Sequence, residues 1–177
     1  MVTLTRVTVP GTVLQVQHTQ VTATSSTSAM SASATVDVTP LNVAITPFAT
    51  SSKIKIELAA TGEISAVSAA NNVMFWLKRT IGGTTTNLRA PADVASNALG
   101  IAPPSINLSS NIDSTLEAVS FVYFDAPSTT SEITYQLVVT NGSQDGAIWN
   151  INRTASATGG LNYERGISII CATEIAG

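Results

Sequence analysis

"PFATSSKIKIELAATG", Pro47 to Gly62, and "PSTTSEITYQLVVTNG", Pro127 to Gly142, match once one serine is skipped. Each starts with proline, passes through Thr-Ser to a charged residue, then alternates apolar and polar positions towards a glycine. In the first, Ile54, Ile56 and Leu58 share one face of a strand while Lys53, Lys55 and Glu57 take the other. In the second, Ile133, Tyr135, Leu137 and Val139 face inward. A period of two with one wet face is the pattern of an antiparallel sheet over a core. Proline sits where a missing backbone donor costs least, and the hydroxyls beside it can bond local backbone. Two readings of the match stand, equivalent corners on facing sheets or convergence on good corner chemistry; two copies are too few for a solenoid.

The same period recurs on both sides of these segments. Further strand candidates are Val13 to Val21, Ala34 to Val38, Leu41 to Thr46, Val73 to Thr80, Leu116 to Phe124, Ala147 to Asn152 and Ile167 to Ile175. No useful length keeps apolar residues at helical spacing. Gly82-Gly83 supplies the positive φ of a hairpin, and Asn141-Gly142 and Asp145-Gly146 flank a second reversal. "TSSTSAMSAS", Thr24 to Ser33, reads as a connector or a loosely held edge strand, and Arg89 to Ser105, with three prolines, as a long surface loop. The expected fold is an all-β, jelly-roll-like β-sandwich, with residues 1–10 an N-terminal arm and 11–177 one domain.

Charged residues are 11% of the chain against about 25% in an ordinary soluble protein, while Ser and Thr supply about a quarter. Such a surface repels its own copies weakly, which suits a component of an assembly. A net charge of −3 with eight basic residues argues against nucleic acid as a partner. The longest apolar runs, such as Val73 to Leu77, fall far short of a membrane span. The N-terminus lacks the basic head and apolar block of a secretory signal, and the single Cys171 has no internal disulfide partner, so folding in a reducing cytoplasm is the simplest account.

Catalytic constellations are sparse. His18 is the only histidine, and without companions for a triad or a zinc site it reads as structural. Cys171 shares a face with Ile167 and Ile169 and reads as a small core residue. Asp113 and Glu117 stand about 13 Å apart on a strand, beyond the roughly 5–9.5 Å used by glycosidases, whereas Glu57 and Glu132 are left free to meet in space. No enzyme, metal or cofactor is expected. The sequons at Asn107, Asn141 and Asn152 arise readily by chance in so hydroxyl-rich a chain. The charged group Arg153, Tyr163, Glu164 and Arg165 around a Gly-Gly loop is different in kind, because Tyr and Arg are favoured at interface centres. The bland alternative is a local Arg to Glu pair steadying the loop. Trp149 nearby reads as core.

"PGTVLQVQHTQ", "VTPLNVAITPFATSSKIKIEL", "VSFVYFDAPSTTSEITYQLVV" and "INRTASATGGLNYERGISIICATEIAG" together resemble a domain widespread in tailed phages of marine and freshwater bacteria, cyanophages included. There it occurs in tail-fibre and virion structural proteins, and the resemblance runs from about Pro10 to Gly177. It implies a place in the virion, with no catalytic chemistry. In fibres the domain ends a longer chain, whereas only the short arm precedes it here. The expectation is therefore a capsid decoration or cement protein, a homotrimer on the phage major capsid protein, assembled in the host cytoplasm. Leu4, Arg6, Val7 and Val9 of the arm would reach the shell or a neighbour by strand addition. The second expectation is a tail-fibre or head-fibre knob that binds host-surface glycan through the 89–105 loop and Tyr123 or Trp149.

Overall fold

The computed structural model describes residues 9–65, 73–89, 100–104, 115–142, 146–156 and 164–177. Ten strands run β1 (Val13–Val21), β2 (Ser25–Ser26), β3 (Thr35–Ile45), β4 (Lys53–Ser65), β5 (Val73–Ile81), β6 (Thr84–Leu88), β7 (Glu117–Asp125), β8 (Ile133–Asn141), β9 (Ile148–Ile151) and β10 (Ser168–Ile175). No helix occurs among the described residues, and so none that could cross a membrane.

The topology is a long hairpin rolled up on itself. Its tip is the β5–β6 turn, where Gly82 and Gly83 both hold positive φ, 53° and 81°, as a two-residue turn between right-twisted strands requires. Working back from the tip, β4 pairs with β7, β3 with β8 and β1 with β10, all antiparallel. Successive pairs fall in opposite sheets. Further ladders of β10 on β4 and β8 on β5 seal the orders β1-β10-β4-β7 and β3-β8-β5-β6. This nesting is the jelly roll, two Greek keys closed into a sandwich. β9 continues the line of β10 along β4, since Gly62 faces Ile151 on one edge and Glu117 on the other, and β2 backs β9.

The two matched segments become the central strands of facing sheets, β4 and β8. Ile54, Ile56, Leu58 and Ala60 pack from one side and Ile133, Tyr135, Leu137 and Val139 from the other, all essentially enclosed. Each large side chain buried in this way contributes about 1.5–3 kcal/mol. Trp149 fills the core as expected, edge-on to Phe75 with ring centroids 5.0 Å apart.

Three readings of the sequence need correction. First, the two candidates around Pro40 are one strand, β3, interrupted by a bulge. The inward side chains change parity from Val36 and Val38 to Leu41, Val43 and Ile45, and Gln136 Nε2 donates to the freed carbonyls of Val38 and Leu41 at 2.8 and 3.0 Å. Secondly, Thr84–Leu88 forms a strand although its hydroxyl-rich run shows little apolar alternation. Thirdly, Cys171 is not core: Ile170 and Ala172 pair with Leu58 and Ile56 and so face inward, which turns Cys171 to the outer face, half-exposed. Both alternating sets of β10 look apolar, so only the pairing with β4 chooses between them. The Ser-rich connector does hold a short edge strand, β2, as one of its readings had it.

Candidate interaction surface

The expected charged cluster is partly assembled. A backbone bridge joins Arg153 to Arg165. Arg153 turns its guanidinium back onto the fold, donating to Ser26 Oγ at 2.9 Å and Asn150 Oδ1 at 2.8 Å, and so fastens β2 to β9. Glu164 accepts the Leu116 amide at 2.5 Å, and Arg165 is exposed, its guanidinium reaching, among the described residues, only the Glu164 carbonyl at 3.3 Å. Among the described residues no ion pair joins either arginine to Glu164. Tyr163, like Leu4, Arg6 and Val7 of the arm, lies outside the described residues. Val9 is exposed, beside a turn in which Gly11 donates to the Ala176 carbonyl.

Asn152 anchors this region. It adopts the left-handed conformation (φ 57°) and is fully buried. Its Nδ2 donates to the carbonyls of Val21 and Ala23, and its Oδ1 accepts from Ser168 Oγ at 2.6 Å and Thr61 Oγ1 at 3.2 Å. Asparagine tolerates this conformation because its short amide bonds local backbone. Asn141 is equally enclosed. Neither side chain is placed to accept a glycan, so the sequons at these two positions carry no modification site.

The acidic groups within the sandwich hold the structure together. Both carboxylate oxygens of Asp125 accept from Arg79 Nη1, at 2.8 and 2.9 Å, and Oδ2 also accepts from the Tyr135 hydroxyl at 2.7 Å, tying β7 to the opposite sheet. Burial first, then the bond to Asp125, pushes the Tyr135 phenol well above the usual tyrosine range. Glu174, fully buried, accepts from the Phe48 amide, Ser52 Oγ and Gln15 Nε2. Glu63 and Glu117, also buried, accept the amides of Ala155 and Ile64. Glu57 pairs with Lys55 on the outer face of its sheet, pointing away from the sheet that carries Glu132, so those two carboxylates do not meet.

What the cluster does not supply, the outer face of β1-β10-β4-β7 does. The ladder registers place three rows across it: Val16, Thr173, Lys55, Phe124; then His18, Cys171, Glu57, Val122; then Gln20, Ile169, Ala59, Ser120. Val16, Val122 and Phe124 are 51%, 52% and 60% exposed. The only charges in these rows, Lys55 and Glu57, neutralise each other at 2.8 Å. A shallow apolar depression of about 330 Å³ lies between Ala59, Val122, Ile169 and Cys171. His18, read as structural, is an exposed member of this face.

The other outer face is built differently. Lys78 bonds both oxygens of Asp37, and Trp76 donates to Thr140 beneath the Arg89 guanidinium, 5.6 Å from its ring. None of the exposed large apolar side chains belongs to β3, β5, β6 or β8. Val122 and Phe124 were not singled out from sequence, although "VSFVYF" carried a signal: a strand apolar on both sides suits one covered on both faces.

No family model matches this chain, and no curated protein is significantly similar to it.

Proposed function

We propose that this chain is a phage virion structural protein, a homotrimeric capsid decoration or cement protein that binds the major capsid protein and stabilises the head. The observation that carries the reading is the inequality of the two outer faces. One carries the Lys78–Asp37 ion pair and the Trp76–Thr140 hydrogen bond and has no exposed large apolar side chain on its strands, whereas the other exposes Val16, Val122 and Phe124 around a self-neutralised Lys55–Glu57 pair. An apolar face with no net charge is stable in water only at a cost and is suited to being covered. The sequence resemblance points to a virion, and jelly rolls occur among capsid and lectin domains, an analogy of fold only. The binding role asks for no catalytic group and no cofactor.

The test uses capsids with and without the protein. Complete heads are expected to survive heating and low salt that disrupt heads lacking it, with the labelled protein on the capsid. Equal survival, or label confined to the tail, overturns the reading. Of the residues named for the glycan-binding alternative, Trp149 is enclosed in the core and Tyr123 is turned inward and half-buried, while residues 90–99 and 105 of its loop lie outside the described residues.

A further inference from the structure

The outer face of β1-β10-β4-β7 carries both a bump and a hollow. Phe124 stands out from β7, 60% exposed. The hollow lies further along the same strands, between Ala59, Val122, Ile169 and Cys171. Alternate residues of a strand are about 7 Å apart and neighbouring strands about 4.8 Å, so Phe124 lies roughly 10 Å from the middle of the hollow. The charges are arranged in the same sense. Lys55 is in the row of Phe124, and Glu57, two residues along β4, is in the row of Val122 and Cys171 at the rim of the hollow. Bump to hollow and plus to minus therefore run in one direction along the strands.

We infer that this face, which the proposed function requires to be covered, is covered by the same face of a second copy, sheet on sheet across a two-fold axis, an assignment that rests on that reading. A foreign partner need supply only one half of each contact, whereas a two-fold contact requires one surface to hold both halves. Here both are present. An axis in the plane of contact, crossing the strands midway between Phe124 and the hollow, exchanges the two, and each ring enters the other copy's hollow. The same rotation brings Lys55 of each copy over the other's Glu57, so the pair at 2.8 Å in one chain becomes part of a set of four alternating charges. Strands of the two sheets stay close to aligned, as they do where sheets pack face to face about 10 Å apart. Val122 and Phe124 then lose their contact with water, and with 11% charged residues the chain opposes such pairing only weakly.

Within the virion reading this contact joins copies of neighbouring trimers, whose three-fold and capsid contacts use other surfaces; two trimers so joined give six chains. The experiment uses the purified chain at micromolar concentration with reductant, so that Cys171 forms no disulfide. Light scattering should give two or six times the 18.3 kDa chain mass. Phe124→Ala is expected to weaken the pairing about 30-fold or more, as loss of a central aromatic anchor does. Lys55→Glu and Glu57→Lys each set like charges across the axis, so each alone should fall to one or three chains with unchanged circular dichroism. An equal mixture of the two should return to two or six chains, because opposite charges meet only between unlike copies. A parent that stays a monomer or trimer, variants that assemble as the parent does, or a mixture that fails to re-form pairs overturns the proposal. A parent that pairs as expected but is absent from capsids overturns the virion reading alone.

Discussion

The Tyr135 hydroxyl donates a 2.7 Å hydrogen bond to Asp125 Oδ2, although the two residues stand on opposite sheets. The phenol thereby stabilises a carboxylate already held by Arg79, in a site where Asp125 is 8% exposed. Tyr135→Phe is expected to cost about 1.5–3 kcal/mol, the range for a hydrogen bond to a charged group. Asp125→Asn should cost about 3–5 kcal/mol, because it leaves the Arg79 charge without its partner. Urea unfolding of the three proteins checks both values.

The same pair sets an alkaline limit. The folded-state pKa of Tyr135 is raised above the unfolded value of about 10, so above that pH the unfolded chain loses a proton that the folded chain keeps. Stability from this group is complete below pH ~10 and falls as pH rises further, by up to about 1.4 kcal/mol per unit. Tyr135→Phe should show a shallower decline than the parent between pH 10 and 11.5, roughly the window in which unfolded tyrosine titrates. Thermal unfolding at a series of alkaline pH values provides the comparison.

Gly62 lies against Trp149. A Cβ at Gly62 would come within 2.6 Å of the indole Cζ2 and would also strike the Asn150 backbone carbonyl. Neither neighbour is the loose end of a flexible chain, so Gly62→Ala should cost about 1–3 kcal/mol from overpacking. Ala59→Gly, on the exposed outer face of the same strand, should cost about 0.5–1 kcal/mol by backbone entropy alone. Chemical denaturation of both variants separates the two effects.

Asn152→Ala removes four side-chain hydrogen bonds and keeps the left-handed backbone, for an expected loss of about 3 kcal/mol or more. Asn152→Gly loses the same bonds but relieves the strain, so it should be about 1–2 kcal/mol more stable than the alanine variant. The ranking of their urea midpoints tests both the network and the backbone conformation.

Glu174→Gln places an NH2 group among the donors of Phe48, Ser52 and Gln15. The expected loss is about 2 kcal/mol, which lowers Tm by roughly 4–8 °C in a chain of this size. Calorimetry reads it directly.

The sequence alone determined the all-β class, most of the strands and the two central ones, because period-two alternation reports burial on one face of a pleat. It also placed Trp149 in the core and the tip turn at Gly82-Gly83. Tertiary structure decided the rest. Which face of β10 is inward was settled by its pairing with Leu58 and Ile56, since Ile167 to Ile175 is apolar on both sides. The partners of Asp125, Glu174 and Asn152 are remote in sequence, and no local pattern encodes which hydroxyl or amide will meet a carboxylate. The exposed rows of Val16, Val122 and Phe124 exist only once β1, β10, β4 and β7 lie side by side. A surface shared by four strands is a product of register, and register is set by the packed core and not by any one strand.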